Sequence, residues 1–276
     1  AVNGAGSLAL PALLEALGCA VVRLHTTPNG EFPRGPEPSP ENLTALSEAV
    51  TAEGAHLGMA TDPDGDRLAL LDETGTPAGE ELTQVLAVDG YLQRTHSRQP
   101  VVTNLSSSQL LDHVAGRHGA PVVRAAVGEV NVVARMRAEG SEIGGEGNGG
   151  VILAESHLGR DALVGAALVL DRLVQDQQPL SGILADLPKY VMLKERIPVD
   201  GLSAEKVYQD VSRRFPDGEH ITEDGLKVQW EDRWFHIRES NTEPIIRIYA
   251  EGPTMDVARE MVASVRSICA AAGTSP

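Results

Sequence analysis

Between residues 101 and 139 short apolar runs alternate with segments of helical period: 101–105, 108–118, 121–124 and 130–139. This spacing predicts strand, helix, strand, helix. It excludes an all-helical or all-β domain, because parallel strands joined by crossover helices are the economical way to bury such runs. The same grammar reaches upstream and downstream. A polar turn at Asn3-Gly4-Ala5-Gly6-Ser7 leads into a periodic run at 8–17, with Gly18 as C-cap and a buried strand expected at 19–24. A stiff, proline-rich loop follows (Pro28, Pro33, Pro36, Pro38, Pro40), then a helix expected at 40–53 with Ser39 as N-cap and Pro40 in its first turn. Short strands are expected at 57–60 and 67–72, a helix at 81–94 and another at 161–175. After a linker at 179–188 the pattern changes. Strands at 190–198, 225–230, 233–238 and 245–251, with helices at 203–215 and 255–271, describe a small α+β domain. The expected fold class is α/β. Two α/β domains with mixed, mostly parallel sheets (1–78 and 79–188) precede an α+β domain (189–276).

The chain has 276 residues, enough for two domains or three small ones. With 23 basic against 39 acidic residues its formal charge is −16. Nucleic acid and anionic membrane surfaces are therefore excluded as partners, since both need a basic footprint; a small anion needs only local arginines. No apolar run approaches the roughly 18 residues of a membrane span. The two cysteines, Cys19 and Cys269, form no CxxC and are expected as free thiols in a reducing compartment. No basic n-region of a secretory signal opens the chain, so a cytoplasmic location is expected. The first residue is not Met and falls inside a motif, which suggests a piece of something longer.

Three polar loops carry the candidate chemistry. In Thr61-Asp62-Pro63-Asp64-Gly65-Asp66-Arg67, carboxylates recur at every second position between two expected strands. Alternate side chains of an extended segment share a side, and Gly65 lets the backbone curl. Like charges so gathered are costly without a cation, and oxygen-only ligands favour Mg²⁺, Mn²⁺ or Ca²⁺ over zinc. Asp62, Asp64, Asp66 and Glu73 also fall at positions 1, 3, 5 and 12 of an EF-hand loop. However, Arg67 stands where that loop needs glycine, and strands rather than helices flank it. A solvated acidic turn is the plain alternative. In residues 144–150, five glycines surround Glu146 and Asn148, a set that suits neighbouring sugar hydroxyls or, equally, a flexible surface loop. In residues 238–244, Arg238, Ser240, Asn241 and Thr242 can grip a phosphate with Arg247 nearby, or form an ordinary polar hairpin. Gly4-x-Gly6-x-x-Ala9 imitates a dinucleotide fingerprint, but the segment after it ends in Leu24-His25-Thr26, with no acid to hold a ribose.

Together and in this order, the three loops resemble those of the α-D-phosphohexomutases: phosphoglucomutase, phosphomannomutase and phosphoglucosamine mutase. The resemblance spans the whole chain and includes the proline-rich stretch and His157-Leu158-Gly159-Arg160-Asp161. It implies a Mg²⁺ site at Asp62, Asp64 and Asp66, with Arg67 as a catalytic cation. It further implies sugar contacts from Glu146 and Asn148, and phosphate contacts from Arg238, Ser240, Asn241, Thr242 and Arg247. Glu129 stands where many relatives carry Asp beside the sugar. The family has four domains, and the first carries a phosphoserine in a Thr-x-Ser-His-Asn-Pro-like segment. This sequence contains no such segment, and its start resembles the opening of the second domain. The implied reaction moves a phosphoryl group between the 1- and 6-positions of a hexose or hexosamine phosphate through a 1,6-bisphosphate. The last domain is expected to hinge near Pro188. By itself the chain is expected to be inactive. The form of the sugar loop places glucosamine phosphate first, with mannose or glucose phosphate next. The alternative from another class is a non-catalytic sugar-phosphate or calcium binding module.

Overall fold

The computed structural model describes residues 1–198, 203–240 and 243–273. The chain divides into two compact units, Ala1–Leu187 and Pro188–Pro276.

The first unit begins with α1 (Gly6–Ala16), a 3₁₀ turn (Pro40–Asn42), α2 (Thr44–Glu53), and strands β1 (Gly58–Thr61) and β2 (Leu68–Leu71). It continues through α3 (Glu80–Thr95), β3 (Val101–Asn104), α4 (Leu110–Arg117), β4 (Val122–Ala125), α5 (Glu129–Glu139), β5 (Ile143–Glu146), β6 (Gly150–Leu153), α6 (Ala162–Asp176) and α7 (Leu180–Ala185). The alternation read from 101–139 is present as a four-stranded sheet of order β4-β3-β5-β6. β3 runs parallel to β4 and β5, and β6 returns antiparallel to β5. Val102, Val132, Val133, Met136 and Ile152 make the core between this sheet and α5. The remaining pair, β1 and β2, is antiparallel.

Two local expectations are corrected. Residues 19–24 are irregular rather than a buried strand, and Val22 is 59% exposed. A strand needs a partner edge. Here the Leu24 and His25 carbonyls are taken by the amino group of Ala1 and the backbone N–H of Asn3. Among the described residues β1 pairs only with β2. The apolar run instead borders a cleft of about 1200 Å³ lined by Leu10, Leu14, Leu46, Val50 and Leu173. The helix expected at 40–53 is broken at buried Leu43, and the Ser39 hydroxyl accepts from the Asn42 amide at 3.2 Å instead of capping the backbone.

The loop between β1 and β2 is suspended from several elements at once. The Gly65 carbonyl accepts from Ala162 N at the start of α6 (3.1 Å), and the Pro63 carbonyl accepts from Ala5 N (2.7 Å). A Cβ at Gly4 would lie 2.3 Å from the Pro63 oxygen. The glycines that imitate a dinucleotide fingerprint therefore admit this loop. Leu68 N donates to the Gly149 carbonyl at 3.0 Å, which ties the end of the acidic loop to the glycine loop between β5 and β6. Gly149 has φ +92°, and a Cβ there would sit 2.5 Å from the Leu68 oxygen.

The second unit comprises β7 (Val191–Pro198), α8 (Ala204–Arg214), β8 (Glu219–Ile221), β9 (Leu226–Gln229), β10 (Trp234–Glu239), β11 (Ile245–Gly252) and α9 (Met255–Gly273). Its strands form an antiparallel sheet of order β7-β11-β10-β9-β8. Strand alternation sends Phe235, Ile237, Ile246 and Ile248 into a core with Val207, Val211, Val262 and Val265. The opposite face carries Trp234, His236 and Arg238 from β10. Lys227 pairs with His236 across the sheet, and its ammonium lies 4.1 Å from the Trp234 ring centre. Among the described residues, no helix is long and apolar enough to cross a membrane.

Two outcomes follow from this packing. Burial pushes the His236 imidazole down to about 4, against the pull of the Asp224 carbonyl that it contacts at 2.5 Å. The unfolded chain therefore binds the extra proton first, near its ordinary value of about 6.5. Stability should fall as pH drops from about 6.5 to about 4, with a limiting slope of about 1.4 kcal/mol per pH unit for one proton. Both tryptophans, Trp230 and Trp234, lie in this unit, so urea unfolding followed by their fluorescence reads the effect. His236→Gln should flatten the slope, and an unchanged slope would exclude His236 as its source. In the first unit, Gly149→Ala combines left-handed strain with a backbone clash. It should lower the unfolding free energy by about 2–3 kcal/mol, measured by urea denaturation with circular dichroism.

Candidate functional site

Asp62 organises the acidic loop. It is fully buried, and its Oδ1 accepts from the backbone N–H groups of Gly65 (3.2 Å), Asp66 (3.1 Å) and Arg67 (3.1 Å). Its Oδ2 accepts from Arg67 Nε at 2.7 Å. Burial alone would raise its pKa, but the side-chain and backbone hydrogen bonds from Arg67 outweigh that and hold the carboxyl below its usual range. Arg67 is fixed at its other end by both oxygens of Glu37, a residue of the proline-rich stretch. The two acids keep this guanidinium protonated despite its burial.

Asp66 is in the opposite condition. Burial, with Asp62 and Asp64 beside it, pushes its carboxyl up to about 6 against the pull of Arg160. Its Oδ1 is buried without a hydrogen-bond partner. One carboxylate oxygen from each of Asp62, Asp64 and Asp66 lies within 4.8 Å of the others, with Asp64 exposed. Three carboxylates gathered this closely, their like charge offset only in part by Arg67 and Arg160, suit a hard divalent cation. Glu73 stands apart from them. Its carboxylate accepts from the hydroxyl and backbone N–H of Ser181, so the twelfth ligand of an EF-hand is not supplied.

In the glycine loop, Glu146 is 3% exposed. Its Oε1 accepts from Asn104 Nδ2 (2.8 Å) and Gly128 N (3.0 Å), and its Oε2 from Arg160 Nη1 (2.8 Å). Asn148 is half-buried, and its carbonyl accepts from Gly150 N at 3.2 Å. Glu129, the first residue of α5, accepts from Arg160 Nε at 3.1 Å. Arg160 also donates to Asp66 Oδ2. The acidic loop, the glycine loop and Glu129 thus meet on one guanidinium inside the first unit.

The third loop lies in the second unit. Arg238 on β10 is nearly buried and pairs with Asp224 at 3.0 Å. Arg247 on β11 donates to Ser240 Oγ (3.3 Å) and Glu243 Oε2 (2.9 Å). Asn241 and Thr242, expected as phosphate contacts, lie outside the described residues. The register sets Arg247 opposite Arg238 on one side and Arg196 of β7 on the other. Three arginines side by side on one face repel each other, a cost that Asp224 and Glu243 offset at Arg238 and Arg247.

Sequence reasoning gave no role to Glu37, Asn104, Arg160 or Arg196. Arg160 stood in a stretch noted only for its likeness, and no local spacing connects it to Asp66, 94 residues away. Arg196 could have been found from the alternation of 190–198, had the register against β11 been known.

Comparison with known proteins gives these loops a family. Residues 1–75 match the model of phosphoglucomutase/phosphomannomutase alpha/beta/alpha domain II, 79–190 that of domain III and 191–268 that of the C-terminal domain. The chain is 40% identical over 260 residues to a phosphoglucomutase/phosphomannomutase of Thermococcus kodakarensis, which covers 94% of this chain and 57% of that protein. It is 36% identical over 262 residues to a probable phosphoglucosamine mutase of Methanopyrus kandleri, covering 94% and 58%. The crystal structure of a phosphoglucomutase/phosphomannomutase family protein from Burkholderia thailandensis superposes with a TM-score of 0.86 at 27% identity, over 100% of this chain and 60% of that one. The chain therefore spans about three fifths of the length of these relatives. With three successive domain models matched in order across almost all of its length, the chain belongs to the α-D-phosphohexomutase family.

Proposed function

We propose that these residues serve an enzyme that moves a phosphoryl group between the 1- and 6-positions of a hexose or hexosamine phosphate through a 1,6-bisphosphate. Glucosamine phosphate is the first substrate, with mannose and glucose phosphates next. The observation that carries this reading is the junction of the acidic loop and the glycine loop, joined by the Leu68–Gly149 hydrogen bond and by Arg160. It brings a candidate cation site beside a candidate sugar-hydroxyl site. The names of the relatives from Thermococcus and Methanopyrus support the same class of substrate.

Asp62, Asp64 and Asp66 would hold Mg²⁺, which when bound supplies positive charge to a transferring phosphoryl group. Arg67, braced by Glu37 and Asp62, keeps a fixed guanidinium at the same loop and needs no reorganisation as charge develops. Glu146 offers a buried carboxylate to sugar hydroxyls, and Asn148 an amide that donates and accepts. Arg238, Ser240, Asn241, Thr242 and Arg247 take the phosphate that does not react, and Arg196 extends that row. Phosphoryl transfer asks little covalent work of a protein beyond such positioning and charge. The donor serine of the family reading lies in a segment that this sequence does not contain. These 276 residues are therefore expected to bind without turning over, and a cytoplasmic location is proposed.

Calorimetric titration with the 1- and 6-phosphates of glucosamine, mannose and glucose, in Mg²⁺, tests the reading. Selective binding is expected. Arg247→Ala should weaken it roughly tenfold to a hundredfold, the range of one charge-assisted hydrogen bond, and Arg196→Ala less. Binding that ignores both substitutions would contradict the assignment of the phosphate site. Mutase turnover by the purified chain would contradict the assignment of the nucleophile. Sugar-phosphate binding indifferent to Mg²⁺ would favour a non-catalytic binding module.

A further inference from the structure

Arg160 is the one side chain described above that touches both the acidic loop and the glycine loop. It lies between β6 and α6, and its stem crosses Gly150 so closely that a Cβ there would fall 2.3 Å from Arg160 Cδ. Its head spans three carboxylates from three segments: Nη2 to Asp66 Oδ2, Nη1 to Glu146 Oε2 at 2.8 Å, and Nε to Glu129 Oε2 at 3.1 Å. The group is four-fifths buried, and one positive charge cannot neutralise three negative ones. Asp66 Oδ1 is buried without a hydrogen-bond partner, with Arg67 Nε 3.6 Å away.

We propose that Arg160 is a built-in counter-cation of the metal site, a positioning residue that competes with the divalent ion for Asp66. The inference rests on the reading of Asp62, Asp64 and Asp66 as cation ligands. Two cations drawn to one carboxylate oppose each other, so an ion entering the acidic loop pulls Asp66 away from the guanidinium. Arg160 then keeps Glu146 and Glu129. The charge state of the sugar loop is thereby linked to occupancy of the metal loop. Any ligand that draws Glu146 away from Arg160 must change metal affinity in return, by reciprocity.

The test is Mn²⁺ alone, titrated into the chain at neutral pH and read by the electron paramagnetic resonance signal of the free ion. Arg160→Gln removes the charge and keeps a polar side chain. It should tighten Mn²⁺ binding by about tenfold, at the modest end of site-to-site couplings. Arg160→Lys keeps the charge and should stay close to the wild type. Loss of a merely structural contact would loosen the loop and weaken binding in both variants. Unchanged affinity in Arg160→Gln, or equal weakening in both variants, overturns the role of Arg160 while leaving the metal site standing. No Mn²⁺ binding by wild type or either variant overturns the metal reading itself. Binding that emerges only in Arg160→Gln supports the competition in its strongest form.

Discussion

The buried carboxylate of Asp62 is the interaction on which the first unit's candidate site depends. One oxygen gathers three consecutive backbone N–H groups and the other anchors the Arg67 guanidinium. Those contacts curl residues 62–67 into a fixed loop and keep Asp62 ionised in a place where burial would otherwise neutralise it. With the loop fixed, Leu68 can enter β2 while bonded to Gly149, and Gly65 can meet the start of α6. Removing Asp62 would release all of these together, because a buried ion pair broken on one side leaves uncompensated polar groups.

The same loop gathers three carboxylates that Arg67 and Arg160 neutralise only in part. Asp66 sits among Asp62, Asp64 and Arg160 with its carboxyl raised and one oxygen unpartnered. In the second unit the gathered charge has the opposite sign, where the register aligns Arg196, Arg247 and Arg238, with Asp224 and Glu243 paired to two of them. A fold selected only for stability would not gather like charges in this way. On the proposed function both clusters would become favourable on meeting a ligand of complementary charge: a divalent cation in one, a phosphate in the other.

The α/β alternation at 101–139 and the strand succession after residue 225 were legible because burial imposes periods that sequence displays directly. The acidic loop was legible as a loop between strands, since its carboxylates are neighbours in sequence. Residues 19–24 were misread because an apolar run reports a tendency to be buried, not the presence of an edge to pair with. The helix from residue 40 was misread because Leu43 is recruited into the core and breaks the backbone path. Arg160, Glu37 and Arg196 escaped because their partners lie far along the chain or across a register, and no local spacing encodes either.

The most direct measurement is anomalous diffraction from crystals of the chain grown with Mn²⁺. A single strong peak among the carboxylates of Asp62, Asp64 and Asp66, with the Arg160 guanidinium withdrawn from Asp66 and still on Glu146, is the expected result. A crystal without a peak at that loop, with Arg160 still bonded to Asp66, would contradict the account.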